Sequence, residues 1–196
     1  PSRLPMPSRK ENERSRLTAA DWENGALDAI AEEGINALAV ESLARRLGVT
    51  KGSFYWHFRT RDALLRAALA RWEARDEREL SSRIAPIADP RASLRELFLW
   101  VAREVQPHRI YAALMQALEH EQVGPVMSRV SQRRMDFLGQ AYRQAGMDRN
   151  QAQHRARLAY AAYVGFLQLN ALQLPRLSQE QFEAYVEHGI ATLVPA

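Results

Sequence analysis

The chain has 196 residues, 46% of them hydrophobic, and a formal net charge of +4, enough for one sizeable core or a core plus a satellite domain of roughly 50 residues. It contains no cysteine, which excludes disulfide scaffolds, thiol catalysis and cysteine-ligated zinc and suits a reducing cytoplasm. The longest uncharged apolar run, Leu158 to Leu174, is interrupted by Gln168, Asn170 and Gln173 and falls short of the roughly 20 apolar residues that span a membrane. A helix buried in a core or subunit interface is expected there, and no membrane partner.

Residues 1–16 carry Arg3, Arg9, Lys10, Arg14 and Arg16 against Glu11 and Glu13, with three prolines. Without apolar periodicity this predicts a basic flexible arm rather than an export signal, suited either to a minor groove or to solubility. Thr18 or Asp21 can cap a first helix that buries Trp22, Ala26, Ala29 and Ile30 and stops at Gly34. Val40 to Phe58 reads as two short helices broken at Gly48-Val49-Thr50. Thr60 or Arg61 then opens a fourth helix through Leu64, Leu65, Ala68, Leu69 and Trp72.

Pro86 and Pro90 mark the next boundary, and five more helices follow with breaks at Pro107, Gly124-Pro125, Gly146 and Pro175. No window alternates like a strand, and no repeat is present. The predicted fold is all-α with about nine helices. A flexible arm (1–16) precedes a three-helix domain with a helix-turn-helix (17–61), and the long fourth helix joins it to a C-terminal helical domain (62–196).

Two short helices crossing steeply need a small contact residue, a turn residue free to take positive φ and apolar wedges. Ala44 and Gly48 supply the first two. Leu43, Leu47, Val49, Phe54 and Phe58 supply the wedges. Thr50 precedes the second helix, where its hydroxyl can cap free N–H groups at an end that attracts phosphate. Trp56 and Gly52 lie opposite Phe54 on that helix, flanked by Lys51, Ser53, Tyr55 and His57, an outward face shaped for the major groove. From Val40 to Arg61, five basic residues oppose Glu41 alone, a net +4 equal to that of the whole chain, so phosphate attraction is focused here. A helical hairpin with a solvated basic face shares the spacing, and the residue identities decide between the two.

The stretch Val40 to Leu65, VESLARRLGVTKGSFYWHFRTRDALL, closely resembles the signature of the TetR family of transcription regulators, above all in Thr50 to Phe58, and the resemblance extends over about residues 18–70. It implies a dimeric, double-stranded-operator-binding regulator that a small molecule releases from DNA, a repressor in the first instance and not an enzyme. Thr50, Tyr55, His57 and Arg61 fall where the family contacts phosphate. Val40, Lys51, Gly52, Ser53 and Trp56 fall where it meets bases or adjoining backbone. Trp56 either packs on a thymine methyl or is buried against the first or fourth helix.

The resemblance also implies a ligand pocket in the C-terminal domain, for an unidentified small-molecule effector and without a metal or other cofactor. Candidate lining residues are Trp100, Glu104, His108, Tyr111, Met115, Met127, Met135, Tyr142, Tyr163 and Phe166. A Met or aromatic at helical spacing is ordinarily core. Glu104, His108, Glu119 and His120 become polar contacts if buried.

Reading an operator takes two recognition helices about one DNA turn apart, so the protein is expected to be a homodimer. The last two helices are the candidates for its interface, through Leu158, Ala162, Gly165, Leu169, Phe182, Tyr185, Val186 and Ile190, as a two-fold four-helix arrangement. The rivals are a DNA-binding regulator with no effector and a helical binding protein or enzyme. Against the last, no nucleophile elbow, phosphate loop or His-x-x-x-His spacing occurs. An effector that favours splayed recognition helices must weaken DNA binding by the factor that DNA weakens its own, with the fourth helix as lever.

Overall fold

A computed structural model describes residues 17–104, 106–172 and 175–195; the basic arm at 1–16 lies outside them. The described residues hold nine α-helices: α1 (Ala19–Glu33), α2 (Val40–Arg46), α3 (Lys51–Tyr55), α4 (Arg61–Glu79), α5 (Pro90–Arg103), α6 (Gln106–Met115), α7 (Val123–Gln144), α8 (Arg149–Ala171) and α9 (Gln179–Leu193). A 3₁₀ turn (Ile35–Ala37) follows α1 and a π-helical turn (Leu80–Ile84) follows α4. There is no strand among the described residues. Two compact units divide between Trp72 and Glu73, inside α4.

In the first unit Thr18 and Asp21 cap α1 together. The Thr18 N–H donates to Asp21 Oδ2 at 2.7 Å, and the Asp21 N–H donates to Thr18 Oγ1 at 3.3 Å, satisfying donors the helix leaves orphaned. Gly34, at φ +82°, ends α1 with its N–H on the Ile30 carbonyl. α1 turns Trp22, Ala26, Ala29 and Ile30 inward, all buried. It also offers Gly25 to α2, where a Cβ would come within 3.0 Å of Leu47 Cδ2. Between α2 and α3, Gly48 takes φ +70°, and the Val49 N–H reaches the Ala44 carbonyl at 2.9 Å. The Thr60 hydroxyl accepts the Ala63 N–H at 3.1 Å and opens α4, which buries Leu64, Leu65, Ala68, Leu69 and Trp72.

In the second unit α7 and α8 form a hairpin through Gly146, at φ +100°. Asp148 and Gln151 close a capping box on α8, and Ser178 and Gln181 close one on α9. Leu94, Leu138, Ala141, Tyr142, Ala152, Ala156, Ala159 and Leu193 form one core, in which the alanines of α8 bring it close to α7. α5 starts with Pro90 behind the Asp89 cap. Its end comes earlier than the expected break: α5 stops at Arg103, and Pro107 sits in the first turn of α6. Proline is tolerated in a first turn and offers no N–H with which to continue the helix before it. Among the described residues no helix is long and apolar enough to cross a membrane.

The two glycines of the first unit separate backbone strain from crowding. Nothing lies within 4 Å of a Cβ built on Gly48, so Gly48→Ala is expected to lose about 1–2 kcal/mol through its left-handed backbone alone, and Gly48→Asn less. Gly25→Val adds a clash with Leu47 and is expected to lose more than Gly48→Ala. Urea unfolding followed by circular dichroism ranks the three.

Candidate functional site

α3 has five residues, too few to be stable in isolation, and a single side chain fixes it. Phe54 is fully buried, its ring edge-on to Trp22 at 5.4 Å and 5.9 Å from Phe58. The opposite side of the helix consequently faces out. Trp56 is 82% exposed and Tyr55 55% exposed, with Lys51, Gly52 and His57 also exposed and Ser53 half-buried. Burial of Trp56 against a neighbouring helix is thereby excluded. Nothing but the Thr50 hydroxyl, 3.7 Å away, approaches a Cβ built on Gly52.

Thr50 stands at the N-cap of α3, but its hydroxyl makes no capping bond, contrary to the expectation; its carbonyl accepts the Ser53 N–H instead. Val40 is the half-buried first residue of α2. Arg61 is turned partly inward, with Nη2 donating to the Ile35 carbonyl at 2.9 Å and Nε buried without a partner. It braces the start of the 3₁₀ turn against α4, so a phosphate contact from Arg61 would share its guanidinium with that bond. Lys51 pairs with Glu41 of α2, which lowers the carboxyl's pKa and raises the amine's, in each case chiefly through their hydrogen bond. In the sequence Glu41 counted only as an opposing charge.

The second unit gathers a partly buried polar cluster. Arg134 of α7 donates from Nε and Nη2 to Oδ1 of Asp76 on α4, at 3.1 and 2.5 Å. Its guanidinium lies over the Tyr111 ring at 4.9 Å and the Tyr163 ring at 5.7 Å. Burial opposes the charge on Arg134, but Asp76 and the tyrosine oxygens outweigh it and hold its pKa above the ordinary value. Tyr160 bonds Tyr111 oxygen to oxygen at 2.6 Å and donates to Ser131 Oγ at 2.9 Å.

His108 links this cluster to α5. Val101 O can only accept, so His108 Nε2 carries the hydrogen that reaches it, and Nδ1 accepts from the Tyr163 hydroxyl at 2.9 Å. Burial pushes the His108 pKa down, and Arg134 adds to that. Burial also pushes the Tyr160 and Tyr163 hydroxyls up. His108, Tyr111 and Tyr163 are thus brought together, with Asp76, Ser131, Arg134 and Tyr160 beside them. Those four partners were missed because each contact that brings them in joins residues at least 20 apart in the chain. A signal was nonetheless present: Glu73, Asp76 and Glu77 stripe one helix and Arg129, Arg133 and Arg134 another, and Glu73 takes Arg129 at 2.7 Å and Arg133 at 3.0 Å.

Other pocket candidates go elsewhere. Tyr142 belongs to the core around Leu94 and Ala156, its hydroxyl buried, unpartnered and pushed up to about 12 by that burial. Phe166 stacks on Tyr185 at 5.4 Å and meets Phe182 at 5.7 Å, between α8 and α9. Glu104 ends α5 and pairs near the surface with Arg83, whose guanidinium covers Trp100. Met127 is buried, and Met115 and Met135 are half-buried. Glu119 is exposed, and His120 Nδ1 accepts the Gln122 N–H.

Of the interface candidates, Leu158, Leu169 and Tyr185 are exposed apolar residues, joined by Leu172, and Ala162 is exposed. Phe182 and Val186 are half-buried, and Gly165 opens onto empty space. Ile190, near the end of α9, is already buried within the second unit itself.

Residues 24–68 match the family model of the bacterial regulatory proteins of the tetR family. The chain is 26% identical over 118 residues to the transcriptional regulator AcrR of Shigella flexneri, covering 58% of this chain and 54% of that protein. It is 30% identical over 98 residues to the regulator TtgR of Pseudomonas putida, covering 50% and 47%. It is also 50% identical over 42 residues to a class A tetracycline repressor of Escherichia coli, covering 21% and 19%. The chain thus spans about half the length of the first two and a fifth of the third. Among solved structures, a transcriptional regulator from Rhodococcus sp. Rha1 superposes with a TM-score of 0.70 at 22% identity over 90% of this chain and 96% of that one. A TetR regulator from Legionella pneumophila reaches 0.74 at 15% identity over 98% and 100%. At such identities these structures establish the fold.

The half-buried His108 gives this region a pH dependence of known sign. Its folded pKa lies below the ordinary value near 6.5, so between the two values the unfolded chain binds the additional proton and stability falls as pH drops below about 6.5. Melting is expected at lower temperature at pH 5.5 than at pH 7.5, and His108→Gln is expected to shrink that difference. An undiminished difference in the variant removes His108 as its source.

Proposed function

Because the chain belongs to the TetR family of bacterial regulatory proteins, we propose that it is a homodimeric DNA-binding transcription regulator, acting in the cytoplasm as a repressor that a small molecule releases from its operator. The family is one of regulators and not of enzymes. The observation that carries the reading is the face of α3. A tryptophan 82% exposed, with Lys51, Tyr55 and His57 around it, is costly to leave in water unless a partner covers it. The major groove is the partner whose shape and charge fit a helix that is anchored behind by one phenylalanine and basic and aromatic in front. Phosphate contacts from Thr50, Tyr55 and His57 would set the register, and Trp56 would meet a base edge.

Pairing of two such helices is supported by the apolar surface of α8 and α9. Leu158, Leu169, Leu172 and Tyr185 are exposed there, and Phe166 packs on Tyr185 and Phe182, a surface suited to a second copy. A repressor needs only to occupy a promoter, and release requires an effector with unequal affinity for the DNA-bound and free states.

Two expected outcomes test this. Trp56→Ala is expected to weaken operator binding about tenfold to a hundredfold, the range for loss of one good base contact, while binding to random DNA changes little; equal losses on both DNAs contradict base reading by Trp56. Leu169→Asp is expected to give a folded monomer by light scattering that has lost operator affinity, and a dimer that survives it moves the interface elsewhere.

A further inference from the structure

Within the polar cluster of the second unit nearly every hydrogen-bonding atom has a partner. Ser131, Tyr111 and Tyr160 bond among themselves, Tyr163 donates to His108, and His108 donates to Val101. The exception is Asp76 Oδ2, which is buried and accepts nothing. Only 7% of that side chain is exposed. Both arginine donors crowd onto Oδ1 and leave the second oxygen aside, although a guanidinium and a carboxylate ordinarily pair through both. A buried carboxylate oxygen with no donor is expensive. The backbone is irregular close by: Asp76 stands four residues before a π-helical turn, and such turns are frequent at functional sites.

Resting on the reading of this chain as an effector-responsive regulator, we propose that Asp76 Oδ2 is the recognition point of the effector, which is an uncharged aromatic compound carrying a hydroxyl group, a phenol in chemical class. Charge selects the class. Arg134 already neutralises Asp76, burial and the nearby Arg134 charge disfavour a proton on His108, and burial disfavours ionised Tyr160 and Tyr163, so the cluster carries no net charge. A carboxylate ligand would face the free Asp76 oxygen and be repelled. An ammonium would meet that oxygen only beside the buried Arg134 guanidinium, and either ion would lose its hydration with no countercharge to replace it. A neutral O–H satisfies the oxygen without that loss. The ring of Tyr163 and those of Tyr111, Tyr160 and His108, each within 6.0 Å of it, favour a flat apolar body beside the hydroxyl.

Asp76 and Glu73 lie on α4, the helix that opens at Arg61 directly after the recognition helix. An O–H that bonds Asp76 competes with Arg134 for its carboxylate, and thereby acts on the contact between α4 and α7.

The test uses the full chain and four naphthalenes that differ in one group: 2-naphthol, 2-methoxynaphthalene, 2-naphthoate and 2-naphthylmethylammonium. Binding is read by calorimetry and by the shift in melting temperature. Naphthol is expected to bind at least about tenfold more tightly than its methyl ether, the share of a hydrogen bond to a charged acceptor, and more tightly than either ion. Asp76→Asn is expected to bring naphthol and ether to similar affinity; if that variant does not fold, the comparison on the unaltered chain stands alone. Equal binding of naphthol and ether, no binding of naphthol, or an undiminished preference in folded Asp76→Asn overturns the proposal. Binding of the naphthoate or the ammonium in place of naphthol overturns it while leaving the chain an effector-responsive regulator. A chain that fails to bind any DNA overturns the functional reading instead, whatever the naphthalenes do.

Discussion

The contact between Phe54 and Trp22 is the one on which the exposed face of α3 depends. A five-residue helix cannot hold itself together, and α3 exists because Phe54 is driven edge-on into Trp22 of α1 and backed by Phe58. That anchor sets the rotation of the helix about its axis. The rotation places Trp56 and Tyr55 in water and Lys51 within reach of Glu41. Gly25 and Gly48 serve the same end, one by letting α2 come close to α1 and the other by taking the left-handed turn between α2 and α3. A tryptophan outside and a phenylalanine inside, two residues apart, is the pattern of a surface made to be covered.

The second unit is organised by a different chemistry. Its apolar core is alanine-rich along α8 and closes α7, α8, α5 and α9 on one another. Beside that core runs a seam of three carboxylates from α4, Glu73, Asp76 and Glu77, against three arginines from α7, Arg129, Arg133 and Arg134. Exposed pairs such as Glu77 with Arg133 contribute little to stability. Asp76 with Arg134 is the enclosed member, and breaking an enclosed pair by removing one partner leaves an uncompensated charge. Removing Asp76 or Arg134 alone is therefore the costliest single change along the seam.

Much of this was legible in the residues, and what was not has physical reasons. Caps and glycine stops act locally, so Thr18, Gly34, Gly48 and Thr60 fell where their chemistry required. The outward face of α3 followed from helical periodicity once Phe54 was taken as the inward residue. Pro107 misled because a proline breaks a helix before it as readily as it starts one after it. Thr50 lies at the right position without making the expected bond. Pocket and interface residues were harder to separate, since aromatic spacing alone does not tell Phe166, stacked on Tyr185, from Tyr163, bonded to His108. Asp76 and Arg134 are 58 residues apart, and only the matched acidic and basic stripes of their helices carried a trace of that contact.

The central claim is that a pair of these recognition surfaces reads one DNA site. Sequencing the genomic DNA that the full chain retains during purification, followed by footprinting of the enriched fragments, measures it most directly. The expected result is a two-fold symmetric sequence whose half-sites are centred about one helical turn, ~34–36 Å, apart, protected by the unaltered chain and not by Trp56→Ala. Retained DNA with no shared sequence, or a single unpaired half-site, would contradict it.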